Sequence, residues 1–181
     1  MHGLLIVDML NDFVHPDGAL SVPGAQACIA PVAALAAEFR RRGLPVVYTC
    51  DAHAPDDPEF ADWPPHCVKG GWGAAVVPGL EPAAGDLVIE KRHIAHFDRY
   101  GVGEAFRARG VTDLAVAGVA AEYCVLAAAL EARGQGFGVT LAVDGVAGVE
   151  KTPGDTERAL ERMRSAGVRL APSAEIAAGL P

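Results

Sequence analysis

Apolar residues along this chain fall into short blocks, and the spacing inside the blocks alternates between two kinds. Leu4-Leu5-Ile6-Val7 is a continuous apolar run, the pattern of a strand buried on both faces. After Pro23-Gly24, apolar positions recur at helical spacing (Ile29, Val32, Ala33, Ala36, Phe39) until Gly43, with Pro45 just beyond. Further strands are expected at 46–49, 87–89, 114–117, 139–143 and 168–170. Further helices are expected at 104–109, at 121–133 before Gly134, and at 156–166 before Gly167.

Strands alternating with helices predict the α/β class, as a three-layer α/β/α domain around a central six-stranded parallel sheet. There is no internal repeat and no linker composition, so residues 1–181 are expected to form one domain. One stretch fits no element. From Asp51 to Pro82 the chain is rich in Pro, Gly, Trp and His without periodicity, and a long irregular segment inside a compact domain is usually functional.

Composition narrows the partners. A net charge of −8 argues against a nucleic-acid surface, and the one basic cluster, Arg40-Arg41-Arg42, sits where it complements a helix C-terminus. No apolar run approaches the roughly 20 residues that span a bilayer, and the N-terminus lacks a signal-like pattern, so a cytoplasmic protein without membrane contact is expected. The four cysteines, Cys28, Cys50, Cys67 and Cys124, form no Cys-x-x-Cys pair or zinc-ribbon spacing.

In open parallel sheets, ligands bind beyond the carboxyl ends of the strands. That rule gathers Asp8, Asp51, His53, Glu90, Lys91 and the stretch Gly118–Cys124 on one edge. Cys124 falls where a helix begins, and a helix N-terminus lowers a thiol pKa and offers free amides to an oxyanion. Position alone also allows a packed helix cysteine. Asp8 and Lys91 can form a plain buried salt bridge or, beside a cysteine, a proton acceptor and a cation favouring thiolate. Asp51 and His53 are i and i+2 in extended backbone, so both reach one side, and Glu59 and His66 can complete a shell for zinc, iron or manganese.

Four segments, in order, resemble one family. Val7-Asp8-Met9-Leu10-Asn11-Asp12-Phe13 followed by Gly18–Gly24 is similar to the opening of nicotinamidases, members of the isochorismatase-like cysteine hydrolases. Thr49–His53 and Trp63–Val68 resemble the metal loop of that family, and Gly118–Val125 its nucleophile motif. The resemblance runs from about residue 4 to residue 170. It implies the isochorismatase-like fold, with Cys124 as nucleophile, Asp8 as general acid/base and Lys91 as third member of the triad. It further implies a cis Val119–Ala120 peptide, with the amides of Ala120 and Cys124 serving an oxyanion. One divalent metal, zinc first and iron or manganese next, would be held by Asp51, His53, His66 and Glu59. Phe13, Trp63, Ile94, Phe97 and Tyr123 would line the substrate pocket, and homo-oligomers are common in the family.

The chain departs from that pattern in places. Glu59 stands where many members carry histidine, Ile94-Ala95-His96-Phe97 replaces a Tyr-Ser-x-Phe segment, and Ala121 and Gly71 replace threonines. His93 is expected at the surface, while His96 has either place open to it. The expected activity is hydrolysis of a small amide, nicotinamide first and pyrazinamide with it. A carbamoyl or ureido amidase of the same superfamily is the alternative, and a non-catalytic binding protein on the same fold a remote one.

Overall fold

The computed structural model describes residues 1–181, and its frame follows from the apolar runs. Six parallel strands, β1 (His2–Val7), β2 (Val46–Asp51), β3 (Leu87–Lys91), β4 (Asp113–Val119), β5 (Gly138–Ala147) and β6 (Arg169–Ala171), lie in the order β3-β2-β1-β4-β5-β6. Alternate residues of β1 serve opposite faces. Leu4 and Ile6 pack beneath Val32, Leu35 and Phe39, whereas Leu5 and Val7 pack with Phe106, Val125 and Met163. Both faces of the sheet are therefore covered, which is why β1 reads as an unbroken apolar run.

Six helices complete the layers: α1 (Asn11–Val14), α2 (Ile29–Arg41), α3 (Val102–Arg107), α4 (Leu126–Gly134), α5 (Asp155–Ser165) and α6 (Ser173–Ala178). In α2 the buried positions Val32, Leu35, Ala36 and Phe39 form one stripe, and Arg40 and Arg41 close its last turn. Gly43, at φ 67°, ends it: its N–H and that of Leu44 donate to the carbonyls of Arg40 and Phe39. No helix is long and apolar enough to cross a membrane.

Several boundaries differ from the sequence expectation. Residues 25–28 form a 3₁₀ turn ahead of α2, and β5 runs on to Ala147. The helix expected from Ala121 opens as a π turn, Ala121–Val125, and becomes α-helical only at Leu126. The short α1 and α6 were not expected, because four and six residues are too few for an apolar period to show.

The chain runs outward from β1 through β2 to β3, then returns to place β4 on the other side of β1. The strand order reverses between β1 and β4, and a crevice opens beyond their carboxyl ends. Contact there is close: a Cβ at Gly118 (φ 121°) would overlap the Val7 backbone, so β4 can pair with Val7 here, where its register with β5 shifts, only because the residue is glycine.

Candidate active site

Each acidic or basic group of the site hangs from the end of a different strand. Asp8 follows β1 at φ 50°, a left-handed conformation held by its N–H donating to the Thr49 carbonyl (2.9 Å). Asp51 ends β2, directly opposite Lys91 at the end of β3. Lys91 is 1 % exposed, and its ammonium is 2.8 Å from Asp8 Oδ2, 2.7 Å from Asp51 Oδ1 and 3.4 Å from Cys124 Sγ. Asp8 Oδ1 accepts the Asp51 N–H at 2.9 Å. The three residues of the expected triad thus meet, with Asp51 as a fourth partner. The Val119–Ala120 peptide beside them is cis.

Burial and charge set the protonation states. Burial pushes Asp8 up to about 6 against the pull of Lys91, still low enough for a carboxylate at neutral pH. Burial would also raise Asp51, but His53 and Lys91 outweigh it and hold Asp51 at about 2. Lys91 itself would be lowered by burial, yet Asp8, Cys124 and Asp51 keep it charged, well above the ordinary lysine value. Cys124 is raised by burial in spite of Lys91, so it rests as a thiol and needs a base. Cys28, Cys50 and Cys67 are buried and raised too, to about 11 and 12 for the first two, and none of the three lines the cavity.

Above these groups lies a cavity of about 350 Å³. Phe13, Trp63, Ile94 and Tyr123 line it, together with Asp8, Val119, Ala120 and Cys124. Trp63 and Tyr123 meet edge to face at 6.2 Å. Phe97, expected on this wall, is instead fully buried in the core beneath the sheet, edge-on to Phe137 at 5.7 Å. The turn that separates it from Ile94 is closed by His96, whose Nδ1 donates to the Ile94 carbonyl at 2.8 Å. Ile94 therefore faces the cavity and Phe97 the interior, where a phenyl ring buries more apolar area. His93 lies at the surface against Tyr100, as expected, and His96 is buried away from the cavity wall.

A second constellation adjoins the first. Asp51 Oδ2 is 3.6 Å from His53 Nε2 and 3.8 Å from His66 Nε2. Neighbouring donors around a tetrahedral zinc ion stand about 3.4 Å apart, given zinc–nitrogen bonds of about 2.0–2.1 Å. The outer ring nitrogens face other groups: His53 Nδ1 stands at ion-pair distance from Asp57, 3.1 Å, and His66 Nδ1 donates to the Pro64 carbonyl at 2.8 Å. Both rings turn Nε2 toward Asp51, and both nitrogens of the buried His53 lack a hydrogen-bond partner. A divalent cation fits these residues. Glu59 lines the cavity, but its carboxylate groups with His53 and Asp57 rather than with Asp51 and His66.

Three contributors were missed in the sequence. The Asp12 carboxylate accepts the N–H groups of Ala19 (3.1 Å) and Cys67 (2.7 Å), tying one cavity wall to the loop that carries His66. Asp57 orients His53. Glu122 holds the backbone N–H groups of Val149 and Glu150, and Val149 adds to the wall. Each acts through loop backbone or a second side chain, which leaves no spacing signal.

Comparison with known proteins settles the family. Residues 2–175 match the Isochorismatase domain. The chain belongs to the isochorismatase family. Among curated relatives, the nicotinamidase/pyrazinamidase of Mycobacterium tuberculosis is 36% identical over 189 residues, covering 94% of this chain and 98% of its own. The pyrazinamidase of Pyrococcus horikoshii, solved in complex with zinc, superposes with a TM-score of 0.88 at 35% identity, over 94% of this chain and 98% of its own. The N-carbamoylsarcosine amidase of Thermoplasma acidophilum superposes at 0.84 with 34% identity, over 95% and 96%. This isochorismatase-family chain is an amide-hydrolysing enzyme.

Proposed function

We propose that this enzyme is a metal-containing nicotinamidase, converting nicotinamide to nicotinate and ammonia and accepting pyrazinamide. The observation that carries the choice is the charge of the cavity wall. Asp8, Asp51 and Glu59 line it, and no lysine or arginine does. N-carbamoylsarcosine, the substrate in the name of one structural relative, bears a carboxylate, and apart from the metal that Asp51 and His66 would help to hold, no cation of this wall is placed to pair it. A neutral amide on a flat ring meets Phe13, Trp63 and Tyr123 instead.

In this reading Asp8 takes the Cys124 thiol proton, and the sulfur attacks the amide carbonyl. Lys91, 3.4 Å from the sulfur, stabilises the thiolate and holds Asp8 in place. The backbone amides of Ala120 and Cys124 receive the oxyanion. Protonated Asp8 returns its proton to the departing ammonia, leaving a thioester, and then activates the water that hydrolyses it. Asp51, His53 and His66 would hold the metal, zinc first, and the Glu59 carboxylate stands beside this set, grouped with His53 and Asp57. When bound, the ion supplies a Lewis-acid anchor for a ring nitrogen.

Ammonia release from nicotinamide and from N-carbamoylsarcosine, by the same purified protein, tests the assignment. Turnover of nicotinamide that vanishes in Cys124→Ala is the expected result. Turnover of the carboxylated amide alone would replace it with the carbamoyl-amidase alternative.

A further inference from the structure

Two residues before the nucleophile, Glu122 makes a set of contacts that the chemistry above does not use. One carboxylate oxygen accepts the Val149 N–H at 3.0 Å, and the other accepts the Glu150 N–H at 3.0 Å and the Thr156 hydroxyl at 2.9 Å. Space for the carboxylate exists because residue 148 is glycine: a Cβ there would overlap both Glu122 Oε1 and Thr156 Oγ1. The loop is closed again further on, where the Glu150 carboxylate accepts the N–H groups of Gly154 (2.9 Å) and Thr156 (2.7 Å) at the start of α5. Val149 lines the same cavity as Cys124.

The geometry points to Glu122 as a positioning residue that fixes the Val149 wall relative to the nucleophile and so sets how large a ring the cavity admits. One side chain on the turn of Cys124 holds consecutive backbone amides of the opposite wall. The separation of sulfur and wall is thereby determined over a few bonds rather than through the whole sheet. Charge-assisted hydrogen bonds are the strong kind, and three on one carboxylate, two from backbone amides and one from a hydroxyl, leave the segment little freedom. Releasing them lets the wall retreat, which weakens the grip on a small ring and relaxes the exclusion of a larger one. The chemical groups on Asp8, Lys91 and Cys124 stay where they are.

This inference rests on the nicotinamidase reading, and its test separates the two. Ammonia release is measured for the metal-containing enzyme on nicotinamide and on quinoline-3-carboxamide, which carries a fused second ring. Glu122→Ala and Val149→Ala are each expected to raise KM for nicotinamide about tenfold with kcat changed less than about threefold. Each should cut the preference for nicotinamide over the larger amide by about tenfold. In the double variant the preference should fall less than about twofold further, because both changes act on one wall. Thr156→Val, which removes one of the three donors, should shift the preference in the same direction by less. An unchanged preference in Glu122→Ala, or a double variant whose effects simply multiply, overturns the role of Glu122. If Glu122→Ala does not fold, Glu122→Gln carries the test, since its amide would face the Val149 N–H donor to donor, and an unchanged preference there and in Thr156→Val is equally fatal. A wild type inert on nicotinamide overturns the functional reading instead.

Discussion

Asp51 and Lys91 stand opposite each other across the β2–β3 pair, and the aspartate gives its first oxygen to the lysine at 2.7 Å while its second faces His53 and His66. One carboxylate thereby links the proposed triad, through Lys91, to the proposed cation site. It also explains how a lysine can be buried and charged, since two carboxylates share its ammonium.

Removing that ammonium should be costly. In Lys91→Met, Asp8 and Asp51 are left buried side by side without their partner, and the expected loss of stability is about 3–5 kcal/mol. Urea unfolding of the variant against wild type measures it. A loss under about 1 kcal/mol would mean that water or a cation reaches the two carboxylates.

Asp8 predicts the acid limb of the activity profile. In the proposed mechanism Asp8 must be a carboxylate to accept the thiol proton, and burial lifts it from 3.8 to about 6. Activity is therefore present above that value and lost as pH falls through it. A plot of log kcat/KM should bend near pH 6 and descend with unit slope, well above the range of an ordinary aspartate. Asp8→Asn should lower kcat/KM by about 10³-fold or more and abolish the bend.

His96 predicts a different pH dependence, in stability. Burial first and Lys91 second lower it from 6.5 to about 4, so the folded protein holds it neutral where the unfolded chain protonates it. Its contribution is intact above about pH 6.5 and is lost as pH falls toward 4, because the unfolded state binds the extra proton in that window. Between pH 7 and pH 5 the wild type should lose about 2 kcal/mol more than His96→Leu in paired urea titrations. Parallel losses in the two proteins would contradict the assignment.

The cation site makes a prediction that does not require turnover. Asp57→Asn leaves Asp51, His53 and His66 in place but weakens the hold on the outer nitrogen of His53. Zinc affinity, read by competition with a chromophoric chelator, should fall about 10- to 100-fold. His53→Ala should bind less still, and Glu59→Gln tests the share of that carboxylate in the same titration.

Much of this was legible in the residues. Continuous apolar runs announced β1 and β4, helical spacing announced α2, and the position of Asp8, Asp51, Lys91 and Cys124 at strand ends placed them on one edge before any distance was known. Phe97 shows where such reading stops. It and Ile94 lie three residues apart in an irregular turn, and which of them faces the cavity depends on a hydrogen bond from a histidine ring to backbone. Asp12 and Glu122 were illegible for a related reason. Both serve backbone amides distant in the chain, and a backbone amide has no residue identity for a pattern to detect.

The place of β3 at the border of the sheet has one more consequence. Asp8 and the Cys124 turn follow strands with a neighbour on each side, whereas Lys91 rides on a strand hydrogen-bonded to β2 alone. An outer strand can detach while the rest of the sheet stays paired. Catalysis would then fail before the molecule unfolds, and the earliest casualty of mild heating or denaturant would be the lysine's grip on its two carboxylates. On that expectation, activity would be lost with the pairing of a five-residue ribbon before the core it borders gives way.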